Sequence, residues 1–290
     1  MVDLVFVSAL EAQATDPDLP PIAQAAQRAG LSHATWCWDD PAVDWSACRL
    51  AVLRSPWNYT DRYADFLAWL ALADGATRVL NPPALVRWNT DKRYLQQLAE
   101  AGAPVIDTCV LEPGSQLQIP DAPEFVLKPT IGAGSQGARR FHADQVGLAQ
   151  EHLRMLHGQG LAVLAQPYLD RVDQGGETAL LYFDGEFSHA ICKGALLRPN
   201  QAAATQSLAP ETITPRQPTP AQREVAERVL GCLAKLRDDA TPPLYARVDL
   251  LDDDQGQPRL LELELAEPSL FFAQGEGSAD RLIQCIVSRL

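Results

Sequence analysis

The sequence predicts an α/β protein in which a parallel amino-terminal sheet is followed by antiparallel α+β parts. Three observations predict it. The amino end reads strand, helix, strand, strand, the order of an open, mostly parallel sheet. Two turn signals, Asp184-Gly185-Glu186 and residues 252–258, each join apolar runs with a period of two, as hairpins do. Helical periodicity over 144–158 and 221–236 separates these blocks. A chain of 290 residues, 47% of them hydrophobic, can bury a sizeable core in two or three subdomains.

Acidic residues outnumber basic ones 37 to 24, for a formal net charge of −13. A field of that sign repels nucleic acid and anionic membranes but leaves room for a small anion in a locally basic cleft. No apolar run approaches the ~18–20 residues that span a bilayer. Asp3 and Glu11 stand where a signal peptide needs a basic region, so the start reads as a first strand. The six cysteines form no CxxC pair and read as reduced thiols of a cytoplasmic protein.

Taken in order, 3–9 is a buried strand, 22–29 a helix stopped by Gly30, and 33–38 and 49–53 two further strands. Arg54, Trp57 and Tyr59 follow the last of these, and ligands of open sheets gather beyond strand carboxyl ends. They are candidate substrate contacts, although Trp57 equally reads as a gap-filler. Residues 63–73 form a helix. Asn81-Pro82-Pro83 breaks the pattern, and 90–101 gives another helix with Lys92 in its first turn. A lone lysine there is a solvated residue unless an anion binds nearby.

Lys128 ends a buried strand and leads into 132–137, where Gly132, Gly134 and Gly137 flank Ser135 and Gln136. Backbone N–H groups of such a loop can approach phosphate oxygens, although a plain β-turn has the same composition. It is neither a Walker A loop nor a dinucleotide fingerprint. Further on, 161–166 is a strand running into Pro167, Tyr168 and Leu169, and a hairpin spans 178–193. Residues 194–220 carry no period and read equally as a mobile lid or a disordered linker. Residues 221–236 form an amphipathic helix, and 279–290 closes the chain with another.

The second hairpin concentrates the chemistry. Period-two alternation puts Arg247 and Asp249 on one face of 245–251, and Glu262 and Glu264 on one face of 260–265. Antiparallel pairing can gather three carboxylates and a guanidinium on one surface. Oxygen ligands in that number suit Mg²⁺, while an ordinary acidic outer face is an equal reading of this stretch alone.

With two lysines, a glycine loop and an Asp…Glu-x-Glu hairpin in this order, the chain resembles the ATP-grasp superfamily from about residue 89 to 269. The likeness is to the branch of prokaryotic glutathione synthetase and the cycloserine-forming ligases. The resemblance implies an ATP-grasp fold: an amino-terminal open α/β domain (1–103), a central subdomain with the glycine loop (104–166) and a carboxyl-terminal subdomain with the metal site (167–290), the last two clasping ATP. It implies that Lys92 and Lys128 hold phosphates under a loop of Gly132, Gly134, Ser135, Gln136 and Gly137. Gln166, Pro167, Tyr168 and Leu169 resemble the adenine hinge, and Glu177 the acid that bonds the ribose. Asp249, Glu262 and Glu264 match the magnesium ligands, two Mg²⁺ ions with Mn²⁺ as an alternative. Arg247 resembles the arginine that neutralises the phosphorylated intermediate. Glu264 stands where many relatives have asparagine, and the glycine pair of nearest relatives is missing after Lys193.

The activity so implied is an ATP- and Mg-dependent carboxylate–amine ligase. It forms an amide through an acyl phosphate and releases ADP and phosphate, with Arg247, Lys128 and Arg198 catalytic. Arg54, Trp57, Tyr59, Glu267 and Ser269 are the candidate contacts to small carboxylate and amine substrates, and relatives imply a homodimer or larger assembly. An ATP-grasp kinase and a nucleotide-binding protein without ligase activity are the alternatives. A nicotinamide oxidoreductase is excluded, because Ser8-Ala9-Leu10-Glu11 stands where glycines would be needed.

Overall fold

The computed structural model describes residues 1–198 and 212–290. The first sheet contains β1 (Val2–Ser8), β2 (His33–Cys37), β3 (Cys48–Ser55) and β4 (Arg78–Leu80) in the order β2-β1-β3-β4. All its pairings are parallel. Its strands are near-continuous apolar runs because both faces are covered. Leu4 and Phe6 look to one face, where α1 (Leu19–Arg28) packs through Ile22, Ala25 and Ala26. Val5 and Val7 look to the other, onto an aromatic layer of Trp38, Trp45, Tyr59, Phe66 and Trp69 contributed in part by α2 (Tyr63–Ala76).

The single helix expected over 90–101 requires correction. The chain forms α3 (Pro83–Asn89) and α4 (Tyr94–Glu100), and Lys92 lies in the link between them. Thr90 and Asp91 break the helix by bonding locally: Thr90 Oγ1 donates to the Arg87 carbonyl, and the Asp91 carboxylate accepts from the Arg93 amide. The Lys92 amide is given to the Thr130 carbonyl at 2.8 Å, which ties the link to the start of the glycine loop.

A second sheet, β5-β8-β6-β7, joins β5 (Cys109–Leu111), β6 (Glu124–Pro129), β7 (Arg139–His142) and β8 (Val163–Pro167) in antiparallel pairs. The helix α5 (Val146–Gly158) covers it through Ala149, Leu153 and Leu156. After the short α6 (Val172–Gly175) comes the third sheet, in the order β11-β10-β9-β12-β13. It is built from β9 (Glu177–Phe183), β10 (Glu186–Lys193), β11 (Ile213–Pro215), β12 (Tyr245–Asp252) and β13 (Pro258–Glu264), all antiparallel.

The strand β11 corrects the expectation of a structureless 194–220: 213–215 pairs with 191–193. The rest of that expectation falls mainly on 199–211, outside the described residues. Between β11 and β12, α7 (Pro220–Arg237) begins with a capping box of Thr219 and Gln222 and ends at Asp238 in a left-handed conformation. The closing helix α8 (Ser278–Val287) packs on α1, so Leu282, Ile283 and Ile286 share a core with Leu4 and Phe6 of the first strand. Among the described residues no helix is long and apolar enough to cross a membrane, and all six cysteines are free.

Candidate active site

The second and third sheets face each other across a cavity of about 580 Å³. Its charged wall is the β12–β13 hairpin, paired so that Arg247 stands opposite Glu264 and Asp249 opposite Glu262. A bulge follows, with Leu250 opposite Leu260, and such irregularities re-aim side chains beside functional sites. Arg247 is 6% exposed. Its Nε and Nη2 donate to Asp249 at 2.9 Å, its Nη2 also to Glu264, and its Nη1 to the Ser269 carbonyl at 3.2 Å.

Two lysines meet Glu262 from the opposite side. Lys128 Nζ lies 2.7 Å from it and Lys92 Nζ 3.8 Å. Lys92 also donates to the Gly132 carbonyl at 2.6 Å, pinning the start of the glycine loop. A third lysine, Lys193, escaped the sequence reading. It ends β10 opposite Glu177, is buried, and binds both Glu177 and, at 2.8 Å, Asp249. The signal was present, since Lys193 closes an apolar strand in the same way as Lys128. A buried strand-end lysine needs an anionic partner wherever it occurs.

Charge balance sets the ionisation of these groups. Burial opposes the charged form of Glu262, but Lys128 and Lys92 outweigh it and hold its pKa at about 2. Burial likewise works against the Asp249 carboxylate, and Arg247 and Lys193 overcome it, keeping this group well below the usual range. For Glu177 and Glu264 burial wins: both are pushed up, although Lys193 and Arg247 respectively pull against it, and the Asp249 charge adds to the rise.

The expected magnesium ligands Asp249, Glu262 and Glu264 therefore do not converge on one another in this structure. Among the described residues no three His, Cys, Asp or Glu side chains are gathered as a ready cage. Side-chain cations stand between the acids instead. The donor set still fits magnesium, which takes one or two carboxylates together with phosphate oxygens and water and seldom needs a dedicated cage. The donors are all oxygen, and the Glu262 and Glu264 side chains keep 21% and 28% exposure, whereas Asp249 keeps 2%.

Most of the other expected residues also line the cavity: Gly132, Gly134, Ser135 and Gln136 of the glycine loop, 166–169 at the sheet edge, and Trp57, Tyr59, Glu267 and Ser269 at the far end. Gly134 and Ser135 both have positive φ, +57° and +59°, the first needing glycine's freedom. At the edge, the Tyr168 amide is already given to the Glu124 carbonyl, and its ring lies under Arg140.

Four expectations need correcting. Arg54 is fully buried and outside the cavity wall. Its partners are the Pro268 carbonyl at 2.7 Å and Asp18 at 3.8 Å, so the anion it requires is internal. Gly137 also lies off the wall; a Cβ there would come within 3.2 Å of Pro129, and its carbonyl accepts from His152 at 2.9 Å. Arg198 is exposed and does not line the cavity. Glu177 does line the cavity, and what needs correcting is only its freedom, because its carboxylate is already bound to Lys193 beside Asp249.

Sequence reasoning also missed a loop anchored at every residue. Trp57 Nε1 donates to the Glu267 carbonyl, Arg54 to Pro268, Arg247 to Ser269, and the His189 ring nitrogen Nε2 meets the Leu270 carbonyl at 2.9 Å. The Asp18 carboxylate accepts the amides of Leu270, Phe271 and Phe272 at 2.6–3.1 Å. Phe271, held at φ +49°, lines the cavity with Arg247 over its ring. A non-glycine residue in that region persists only where its surroundings dictate it.

Residues 4–81 match the family model for the N-terminal domain of D-cycloserine synthetase DcsG. Over 284 residues the chain is 38% identical to the cycloserine biosynthesis protein DcsG of Streptomyces lavendulae, covering 95% of this chain and 94% of that one. A crystal structure of D-cycloserine synthetase DcsG superposes with a TM-score of 0.92 at 37% identity, over 99% of both chains. A D-alanine–D-alanine ligase of Bacillus anthracis, solved with ATP, shares the fold at a TM-score of 0.64 and 14% identity, over 99% of this chain and 97% of that one.

Proposed function

The chain belongs to the DcsG family of ATP-grasp ligases, ADP-forming carboxylate–amine ligases, and from that premise we propose roles for its site and a substrate class. The product is a cycloserine-type amide, made by activating an amino-acid carboxylate and closing it onto a nitrogen. Assignment to the cytoplasm and assembly as a homodimer or larger homo-oligomer belong to the same reading.

ATP lies between the second and third sheets. The hinge at 166–169 receives the base, and the loop of Gly132, Gly134, Ser135 and Gln136 closes over the phosphates, which Lys92 and Lys128 hold. Asp249, Glu262 and Glu264 would hold magnesium, which supplies charge neutralisation at the phosphates. The protein's task is to position reactants and absorb developing charge. The substrate carboxylate oxygen attacks the γ-phosphorus, the bond to the ADP oxygen breaks, and an acyl phosphate forms. Arg247 faces the carbonyl oxygen as the nitrogen adds and stabilises the tetrahedral oxyanion until phosphate leaves. Lys193 keeps Asp249 and Glu177 from repelling one another beside it. Trp57, Tyr59, Glu267 and Ser269 shape the acceptor end.

One observation carries this reading: two lysines from separate elements converge on Glu262, directly beneath a glycine loop that one of them already grips. Incubation with ATP, MgCl₂ and a panel of amino acids, with hydroxylamine as a trapping nucleophile, is expected to release ADP and yield a hydroxamate. Absence of ADP with every acid overturns the ligase reading, while a phosphorylated, unligated product points to a kinase. Glu262→Gln should abolish turnover without altering the far-ultraviolet circular dichroism.

A further inference from the structure

Arg140 is a buried cation that takes no part in the charged wall of the cavity. It sits on β7, is 6% exposed, and is not among the lining residues. Its guanidinium nevertheless stacks on a lining residue, with Cζ 3.6 Å from the centre of the Tyr168 ring. Nε and Nη2 both donate to the Glu124 carboxylate, the former at 3.0 Å, in a two-pronged pair. Nη1 donates to Asp173 at 3.0 Å and to the Leu197 carbonyl at 3.4 Å. The Tyr168 hydroxyl also donates to Asp173 and lies 3.5 Å from the Leu197 carbonyl.

These partners come from three directions. Glu124 opens β6 of the second sheet, Asp173 lies in α6 just past the hinge, and Leu197 follows β10 of the third sheet. Tyr168 and Leu197 both line the cavity, so one guanidinium outside it ties two of its walls together. Tyr168 also gives its amide to the Glu124 carbonyl at 2.9 Å, so its backbone and its ring are both fixed. The task needs a planar cation with donors on several sides, and the single ammonium of a lysine does not serve all these acceptors together. Without Arg140, two carboxylates that now share a guanidinium are left to repel each other. Lys92 and Lys128 bind Glu262 and the Gly132 carbonyl and share no partner with Arg140. The two ends of the cavity are therefore held independently.

We propose that Arg140 is a positioning residue for the nucleobase: acting through Tyr168 and Leu197, it fixes the width of the base end of the cavity and so sets affinity for the base without touching it. The inference rests on the nucleotide site of the ligase reading and deepens it.

The test compares two probes by calorimetry in the presence of Mg²⁺: ADP, which fills both ends, and tripolyphosphate, which fills the phosphate end alone. Arg140→Lys should weaken ADP by about tenfold and leave tripolyphosphate within about twofold. In turnover the KM for ATP should rise by the same factor, with kcat and the KM for the acid nearly unchanged. Asp173→Asn, which loosens one arm only, should weaken ADP by about threefold, and it carries the same comparison if Arg140→Lys does not fold. Equal weakening of both probes, or of neither, overturns the positioning role and leaves the nucleotide site intact. An equal rise in the KM for ATP and for the acid does the same. A wild-type protein that binds neither probe overturns the nucleotide site itself, and the role of Arg140 with it.

Discussion

Two buried arginines divide the charged interior of this molecule. Arg54 ends β3, is fully enclosed, and binds Asp18 and the Pro268 carbonyl with its guanidinium near the Tyr245 ring. Arg247 lies in β12, is nearly as enclosed, and binds Asp249, Glu264 and the Ser269 carbonyl. Their partners are alike in kind, and both brace the same loop, at adjacent residues. What separates them is what lies on the remaining side: protein around Arg54, open cavity beside Arg247. An arginine sealed on all sides can only support structure, whereas one with a face on a cavity can also respond to charge that appears there during a reaction.

Substitutions can break or sharpen that contrast. Arg54→Met should cost about 3–5 kcal/mol of stability in urea titrations, since Asp18 is left buried without its cation, while the remaining folded protein binds an ATP analogue normally. Arg247→Gln should also lower the urea midpoint, since Asp249 keeps only Lys193 beside it, but the protein that stays folded should lose about a thousandfold in kcat/KM. A large stability loss in Arg247→Gln together with near-native activity would erase the distinction. Lys193→Met should reduce kcat/KM by about a hundredfold, because Glu177 and Asp249 then face each other without a shared cation. Asp18→Ala should cost about 2 kcal/mol and raise KM for the non-nucleotide substrate but not for ATP, as the amides of Leu270 to Phe272 lose their acceptor. Trp57→Phe removes one hydrogen bond to the Glu267 carbonyl and should cost under about 1 kcal/mol, with a twofold change in KM.

The contrast also explains what the amino-acid sequence could and could not disclose. Arg247, Asp249, Glu262 and Glu264 are legible because strand alternation is local: a period of two in two runs joined by a turn is enough to place them on one face. Lys128 is legible as a charge closing an apolar strand, and Lys193 carries the same mark. Arg54 was misread because the argument that it needs an anion is right while the anion's identity is not local. Asp18 lies 36 residues away, and Pro268 more than 200. The helix break at Lys92 was hidden similarly, since the Thr130 carbonyl that takes its amide comes from another sheet. The six-residue loop carries no pattern of its own. Its order is imposed by side chains from the end of β3 and the turn after it, from the residue before α1, and from β10 and β12.

The core shared by the first strand and the last helix has a consequence for how this protein is made. One face of the first sheet, formed by Leu4, Phe6, Leu50 and Val52, is completed by Leu244, Tyr245, Leu282 and Ile286. When β4 has been made, only α1 is available to cover it, and about 200 residues separate it from the end of α8. At ~5–20 residues per second that face stays partly bare for roughly 10–40 s. Truncation anywhere before α8 therefore strands an oily surface at the amino end.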